Sequence, residues 1–209
     1  RLSKWLNGVT YGNGLFVTVG WEGTILTSSD GISWTQRTSG TSNTLFEVTY
    51  GNGLFVIVGG SRTILTSSDG TTWTKRSSNI QGNLYGVTYG NGLFVTVGRR
   101  GTIFTSSDGT TWTQRTSGTS KILLTGVTYG NGLFVTVGDK GTILTSPDGT
   151  TWTKRSSGIS DRLMGVTYGN GLFVTVGWEG TILTSSDGIS WTSRTSGTSN
   201  RLYGVTYSE

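Results

Sequence analysis

A chain of 209 residues can bury about 70% of its unfolded surface in one or two domains, yet only 33% of this one is apolar and 35 residues are glycine. It has neither Cys nor His, which excludes a disulfide framework, a thiol nucleophile and the side chain that most often serves as general base or transition-metal ligand. The net charge of +5 arises from 16 basic and 11 acidic residues, no apolar run of 18 residues is present to span a bilayer, and the chain opens at Arg1 without Met, as a processed or excised piece would.

The 8 Trp, 8 Tyr and 7 Phe recur in step along the chain, which a disordered sequence has no use for. In chain order the first element is a strand, "LNGVTY" (Leu6 to Tyr11), here called A. Asn13-Gly14 follows, a pair that supplies the positive φ angles of a tight hairpin turn. Strand B is "LFVTV" (Leu15 to Val19), and Trp21-Glu22 with flanking glycines forms the next turn. Strand C, "TILTS" (Thr24 to Ser28), closes in "SDG", and strand D is "SWTQR" (Ser33 to Arg37). B and C are apolar on both faces, as suits a sheet covered on both sides rather than one facing water.

The unit then repeats. Tyr11, Tyr50, Tyr89, Tyr129, Tyr168 and Tyr207 are spaced 39, 39, 40, 39 and 39 residues apart. A period near 40 filled with short strands, without a 3.6-residue apolar period, predicts an all-β propeller of four-stranded antiparallel blades, A innermost and D outermost. The repeats run approximately 6–44, 45–83, 84–123, 124–162 and 163–201, giving five blades in a single domain, with an additional inner strand at 202–207. That last segment, "LYGVTY", duplicates strand A of the first blade, so two copies compete for one slot in a closed five-blade ring. A C-terminal copy in that slot would clasp the ring; otherwise the chain is a slice of a larger ring or the spare strand pairs with another molecule.

The segments "SSDGISW" (28–34 and 185–191), "SSDGTTW" (67–73 and 106–112) and "SPDGTTW" (146–152) resemble the Asp-box of bacterial neuraminidase-type repeats, and the whole unit resembles the blades of photosystem II assembly-factor-like propellers. In that family the box reads Ser-x-Asp-x-Gly-x-x-Trp, whereas here Gly31 follows Asp30 directly and Trp34 comes one residue early. The resemblance implies a structural role for Asp30, Asp69, Asp108, Asp148 and Asp187, each accepting backbone N–H groups in its own turn, and for Trp34, Trp73, Trp112, Trp152 and Trp191, each packing between blades. Because each aspartate sits in its own blade, apart from the others, neither a metal nor a cofactor is expected.

The copies differ mainly in two places. One is the B–C tip: Trp21-Glu22, Gly60-Ser61-Arg62, Arg99-Arg100, Asp139-Lys140 and Trp178-Glu179. The other is the D–A connection, whose end carries Phe46, Tyr85, Met164 and Tyr203. In an up-and-down blade both emerge on the same side of the disc, so variation gathers on one face, where recognition loops on a rigid scaffold belong. Glu47 is the oddest residue, standing where the other copies have Gly. The candidate ligand-binding residues are therefore Trp21, Glu22, Phe46, Glu47, Tyr85, Arg99, Arg100, Asp139, Lys140, Trp178, Glu179 and Tyr203. Trp beside a carboxylate suits a sugar platform or a protein hot spot. Arg37, Arg76, Arg115, Arg155 and Arg194 recur at one repeat position, where basic residues discourage edge pairing; they ring the domain instead of forming a patch, so a nucleic-acid partner is not expected.

These features predict a non-enzymatic interaction module for a glycan or a protein, with self-association through the spare strand as an additional partner reading. A designed or recently amplified scaffold without a selected ligand is the alternative. A glycoside hydrolase is remote, because no motif holds two carboxylates at a short defined separation.

Overall fold

The computed structural model describes residues 5–76 and 82–207; the start of the second D–A connection, 77–81, lies outside them. The first sheet contains β1 (Leu6–Gly12), β2 (Leu15–Gly20), β3 (Ile25–Ser28) and β4 (Thr35–Arg37). The second contains β5 (Leu45–Gly51), β6 (Leu54–Gly59), β7 (Ile64–Ser67) and β8 (Thr74–Lys75). The third contains β9 (Leu84–Gly90), β10 (Leu93–Gly98), β11 (Ile103–Ser106) and β12 (Thr113–Arg115). The fourth contains β13 (Leu124–Gly130), β14 (Leu133–Gly138), β15 (Ile143–Ser146) and β16 (Thr153–Arg155). The fifth contains β17 (Leu163–Gly169), β18 (Leu172–Gly177), β19 (Ile182–Ser185) and β20 (Thr192–Arg194). Within each sheet the strands pair antiparallel in sequence order, and the sheets stand side by side as propeller blades.

Local chemistry sets each turn. Between β1 and β2, Asn13 (φ 49°) and Gly14 (φ 73°) form a two-residue hairpin closed by the Gly12–Leu15 pair, and every blade repeats it. Four B–C tips are single 3₁₀ turns that place Glu22, Arg100, Lys140 and Glu179 at positive φ; the second tip does so with Ser61 and Arg62. At the C–D turn, Asp30 Oδ1 accepts the backbone N–H groups of Ile32 and Ser33, both at 2.8 Å, while Gly31 N donates to Ser28 Oγ at 2.8 Å. This turn is wider than the sequence suggested: it absorbs Ser33 and Trp34, so strand D begins at Thr35.

These hydrogen bonds favour the charged carboxylate, holding Asp30 down at about 2 and Asp69, Asp108 and Asp148 well below the usual carboxylate range, and lowering Asp187 in the same direction. A depressed folded-state pKa contributes stability that is present above the unfolded value of 3.8 and is lost as pH falls through the folded one. The expected result is a thermal midpoint that drops between about pH 4 and pH 2, with a shallower drop in Asp108→Asn, measured by circular dichroism.

The blades join by a repeated fit. Between blades one and two, Val17, Val19 and Ile25 pack against Leu45, Val48, Phe55, Ile57 and Leu65, all buried, with Leu15, Tyr50 and Trp73 at the margin. Burying each such side chain is worth about 1.5–3 kcal/mol, so one joint contributes on the order of 10–20 kcal/mol before chain entropy is subtracted. Two glycines make the joint close. The Tyr50 ring lies against Gly12, as Tyr89 does against Gly51, Tyr129 against Gly90 and Tyr168 against Gly130. Leu15 sits over the turn glycine Gly70, where an added Cβ would stand 2.5 Å from Leu15 Cδ2. The recurrent arginine has a structural use: Arg37 Nε donates to Thr27 Oγ1 at 2.9 Å, tying the outer strand to β3, and all five copies repeat the bond.

The two duplicate inner segments do not compete. β1 keeps its slot beside β2, and no comparable packing joins β17 to β1. The C-terminal copy instead lies against the fifth blade, with Tyr203, Gly204 and Val205 backbone atoms facing Gly165 and Tyr207 against Gly169, the place a following inner strand would take. It pairs into no sheet. The clasp expected of a closed five-blade ring is therefore absent, because the five wedges leave β1 and β17 apart.

Candidate functional site

The variable tips and connections meet on one side, as their hydrogen bonds show. Gly23 N donates to Asn43 O at 2.9 Å, Gly141 N to Asp161 O at 2.8 Å and Gly180 N to Asn200 O at 2.9 Å, each joining a B–C tip to the D–A connection of its own blade. Each tip also bonds the start of its own inner strand, as in Arg99 N to Asn83 O at 3.0 Å and Asp139 N to Leu123 O at 2.9 Å. Tip, connection and inner strand thus form one unit, and five units stand in succession about the axis.

At that end of the axis, the inner strands enclose a cavity of about 480 Å³. Its wall includes Asn7, Phe46, Glu47, Tyr85, Thr125, Arg162, Met164 and Tyr203, together with the glycines and valines of the inner strands. Four of the candidate residues, Phe46, Glu47, Tyr85 and Tyr203, therefore converge here. The position after the leucine of each inner strand reaches toward the next blade: Asn7 Nδ2 donates to Leu45 O at 2.8 Å and Thr125 Oγ1 to Leu163 O at 2.7 Å. By the same geometry the Phe46 and Tyr85 rings come together, centroids 4.8 Å apart.

Glu47 stands in the ring of glycines around the axis, and its carboxylate fills the space over Gly8, where an added Cβ would stand 2.6 Å from Oε1. The side chain is half-buried and accepts one hydrogen bond, from Val48 N at 3.0 Å. Removal from water without a cationic partner pushes its pKa up to about 7.

A second depression adjoins the first, sharing Tyr85, Leu123 and Arg162, and adds Arg99, Arg100, Ser120, Lys121 and Asp139. Arg162 and Asp139 form an ion pair there. The floor of this shelf is thus mainly cationic and borders the axial carboxyl group. Lys140 belongs to a separate depression beside Lys154 and Arg155.

The remaining candidates lie apart from the cavity. Trp21 stacks on Trp5, centroids 5.2 Å apart, and Trp178 is half-buried between two guanidinium groups, with Arg162 Cζ 4.7 Å and Arg201 Cζ 4.0 Å from the ring centroid. Trp178 is therefore a packed cation–π partner instead of an open platform. Glu22 and Glu179 are exposed at positive φ on their tips. Sequence reasoning missed Arg162, Asn7 and Thr125 as cavity residues. Among the described residues no group of three or more His, Cys, Asp or Glu is placed to hold a metal ion, and no helix is long and apolar enough to cross a membrane.

A ring-wise series of four-stranded blades with an axial cavity on its variable face defines a β-propeller domain. The chain belongs to the DUF6242 beta propeller domain family, whose model matches residues 47–161, more than half of it. No curated protein matches its sequence. Among solved structures it is similar to the computationally designed Ika8 protein (TM-score 0.76, 13% identity, covering 98% of this chain and 65% of that one). It is also similar to YCF48 bound to D1 peptide (TM-score 0.69, 18% identity, 91% and 66%) and to virginiamycin B lyase from Staphylococcus aureus (TM-score 0.87, 14% identity, 95% and 73%). The chain spans just under two thirds of the first two, and at these identities the likeness is one of fold.

Proposed function

We propose that this domain is a non-enzymatic protein-interaction module whose axial cavity receives a basic side chain or terminal amine of a partner segment. The observation that carries this reading is Glu47, a carboxyl group set into a glycine-lined cavity beside the Phe46 and Tyr85 rings with no cation against it among the described residues. A cation entering there would gain both a charge partner and aromatic faces. The cationic shelf of Arg99, Arg100 and Lys121 favours acidic residues flanking the basic anchor. A similar fold accommodates a peptide in the YCF48 structure, which supports a peptide-sized ligand here.

A glycan platform is less favoured, since Trp21 and Trp178 spend ring faces on Trp5 and on two arginines. Catalysis is not part of this reading: Glu47 has no second carboxyl group facing it in the cavity. Self-association through residues 202–207, which pair into no sheet, is a separate reading.

The test is a peptide array in which each lysine- or arginine-bearing sequence is paired with its acetyl-lysine or citrulline form. Binding should track the free cation, strengthen as pH rises through about 7, and weaken roughly tenfold or more in Glu47→Gln, as loss of a charge-assisted contact predicts. Binding indifferent to Glu47, or confined to a glycan array, would sink it.

A further inference from the structure

We propose that the cationic shelf beside the axial cavity is a phosphate site, which receives a phosphorylated side chain of the partner segment a few residues from its basic anchor. This deepens the peptide reading above and rests on it.

The site is built from the two places where the third blade departs from its sisters. One is the tip: Arg99-Arg100 puts two cations where the other blades have Trp21-Glu22, Ser61-Arg62, Asp139-Lys140 and Trp178-Glu179. The other is the connection that follows. Gly101 N donates to Ile122 O as Gly23 N does to Asn43 O and Gly141 N to Asp161 O, so these three acceptors are equivalent. Asn43 and Asp161 directly follow a serine, whereas Lys121 stands between Ser120 and Ile122. Lys121 is thus the extra residue that lengthens one repeat to 40, from Tyr89 to Tyr129. Both departures line the same depression, of about 580 Å³.

The one acid in that wall, Asp139, is engaged by Arg162. Arg99, Arg100 and Lys121 are exposed, and among the described residues none of their side chains makes a hydrogen bond or an ion pair. The backbone fixes where they start, through the bond from Arg99 N to Asn83 O at 3.0 Å and a left-handed Arg100 at φ 61°. Three like charges held at one depression repel one another until an anion joins them. A carboxylate brings one charge and two oxygens. A phosphate monoester brings nearly two charges and three acceptor oxygens, which suit two guanidinium forks and an ammonium group. Tyr85, Leu123 and Arg162 line both the shelf and the axial cavity, so one extended segment reaches both. A single-stranded nucleic acid would need ring faces for its bases, and the shelf's one aromatic side chain, Tyr85, already packs against Phe46.

The test is fluorescence anisotropy with labelled glycine-rich peptides that carry one lysine and, one to four residues to either side, a serine, glutamate or phosphoserine. At a preferred spacing phosphoserine should bind roughly tenfold or more tighter than serine, and tighter than glutamate. The gain should vanish in Arg99→Trp with Arg100→Glu, which gives the third blade the tip of the first and fifth, and shrink when Lys121 is deleted. Both changes copy loops the fold already carries, and circular dichroism checks that the variants are folded. Glu47→Gln should weaken serine and phosphoserine peptides alike, leaving their ratio unchanged. No gain at any spacing, or a gain that survives both loop changes, overturns the site. Glutamate equal to phosphoserine overturns the phosphate assignment, and a single-stranded oligonucleotide held more tightly by the same residues overturns the peptide. A phosphoserine gain that persists with acetylated lysine and is indifferent to Glu47→Gln sinks the axial anchor and leaves the phosphate site standing.

Discussion

Gly90→Ala should lower stability by about 3 kcal/mol, the upper range for forcing atoms into a packed site, and the thermal midpoint by roughly 6–12 °C for a domain of this size. The added methyl group would overlap the Tyr129 ring and lie 2.5 Å from Tyr129 Cβ. Ring rotation cannot relieve contact with Cβ, so blades three and four must separate, loosening the joint of Val95, Val97, Ile103, Leu124, Phe134 and Leu144. Gly92 provides the control. It lies two residues away at φ 75° with nothing within 4 Å of an added Cβ, so Gly92→Ala bears only the strain of an alanine at positive φ, about 1–2 kcal/mol. Denaturant unfolding of both variants decides the matter: equal losses would mean the tyrosine–glycine fit is not what spaces the blades.

The second large effect is on pH. The folded chain holds the Glu47 proton up to about 7, whereas the unfolded chain releases it near the ordinary 4.5. Between those values the unfolded state binds fewer protons, so stability falls as pH rises and levels off above about 7. Allowing for water at a half-buried group, the fall is about 2 kcal/mol. Glu47→Gln, neutral throughout, should match the parent at about pH 4 and exceed it by about 2 kcal/mol at pH 8. Parallel pH profiles for the two proteins would show that burial does not perturb the carboxyl group. The same substitution is expected to weaken peptide binding, so stability and recognition move in opposite directions at this residue.

The blade was legible in the sequence because its determinants are local. Asn13-Gly14 dictates its own hairpin, and the Ser28–Asp30–Gly31 turn satisfies itself within a few residues. Only its width escaped, since the bond from Ser33 N to Asp30 Oδ1 extends the turn past where strand propensity would start β4. Glu47 stood out by comparison with its sister positions. That Phe46, Tyr85 and Tyr203 converge with it depends on how successive wedges curve, which no single repeat encodes. The surroundings of Trp178 were equally hidden: Arg162 and Arg201 come from connections before and after its blade. The fate of the two duplicate inner segments could not be read at all, because "LNGVTY" and "LYGVTY" offer a partner the same pattern of hydrogen bonds and side chains.

Every seam between wedges is sealed by one tyrosine meeting one backbone gap, irrespective of which two copies are neighbours. Any unit can thus stand beside any other, and a gene encoding them could gain, lose or reorder units by recombination without making a single ill-fitting boundary. What such exchanges would alter is the sequence of tips around the rim, so the array can be reshuffled as a set of recognition elements while its mechanical frame stays unchanged.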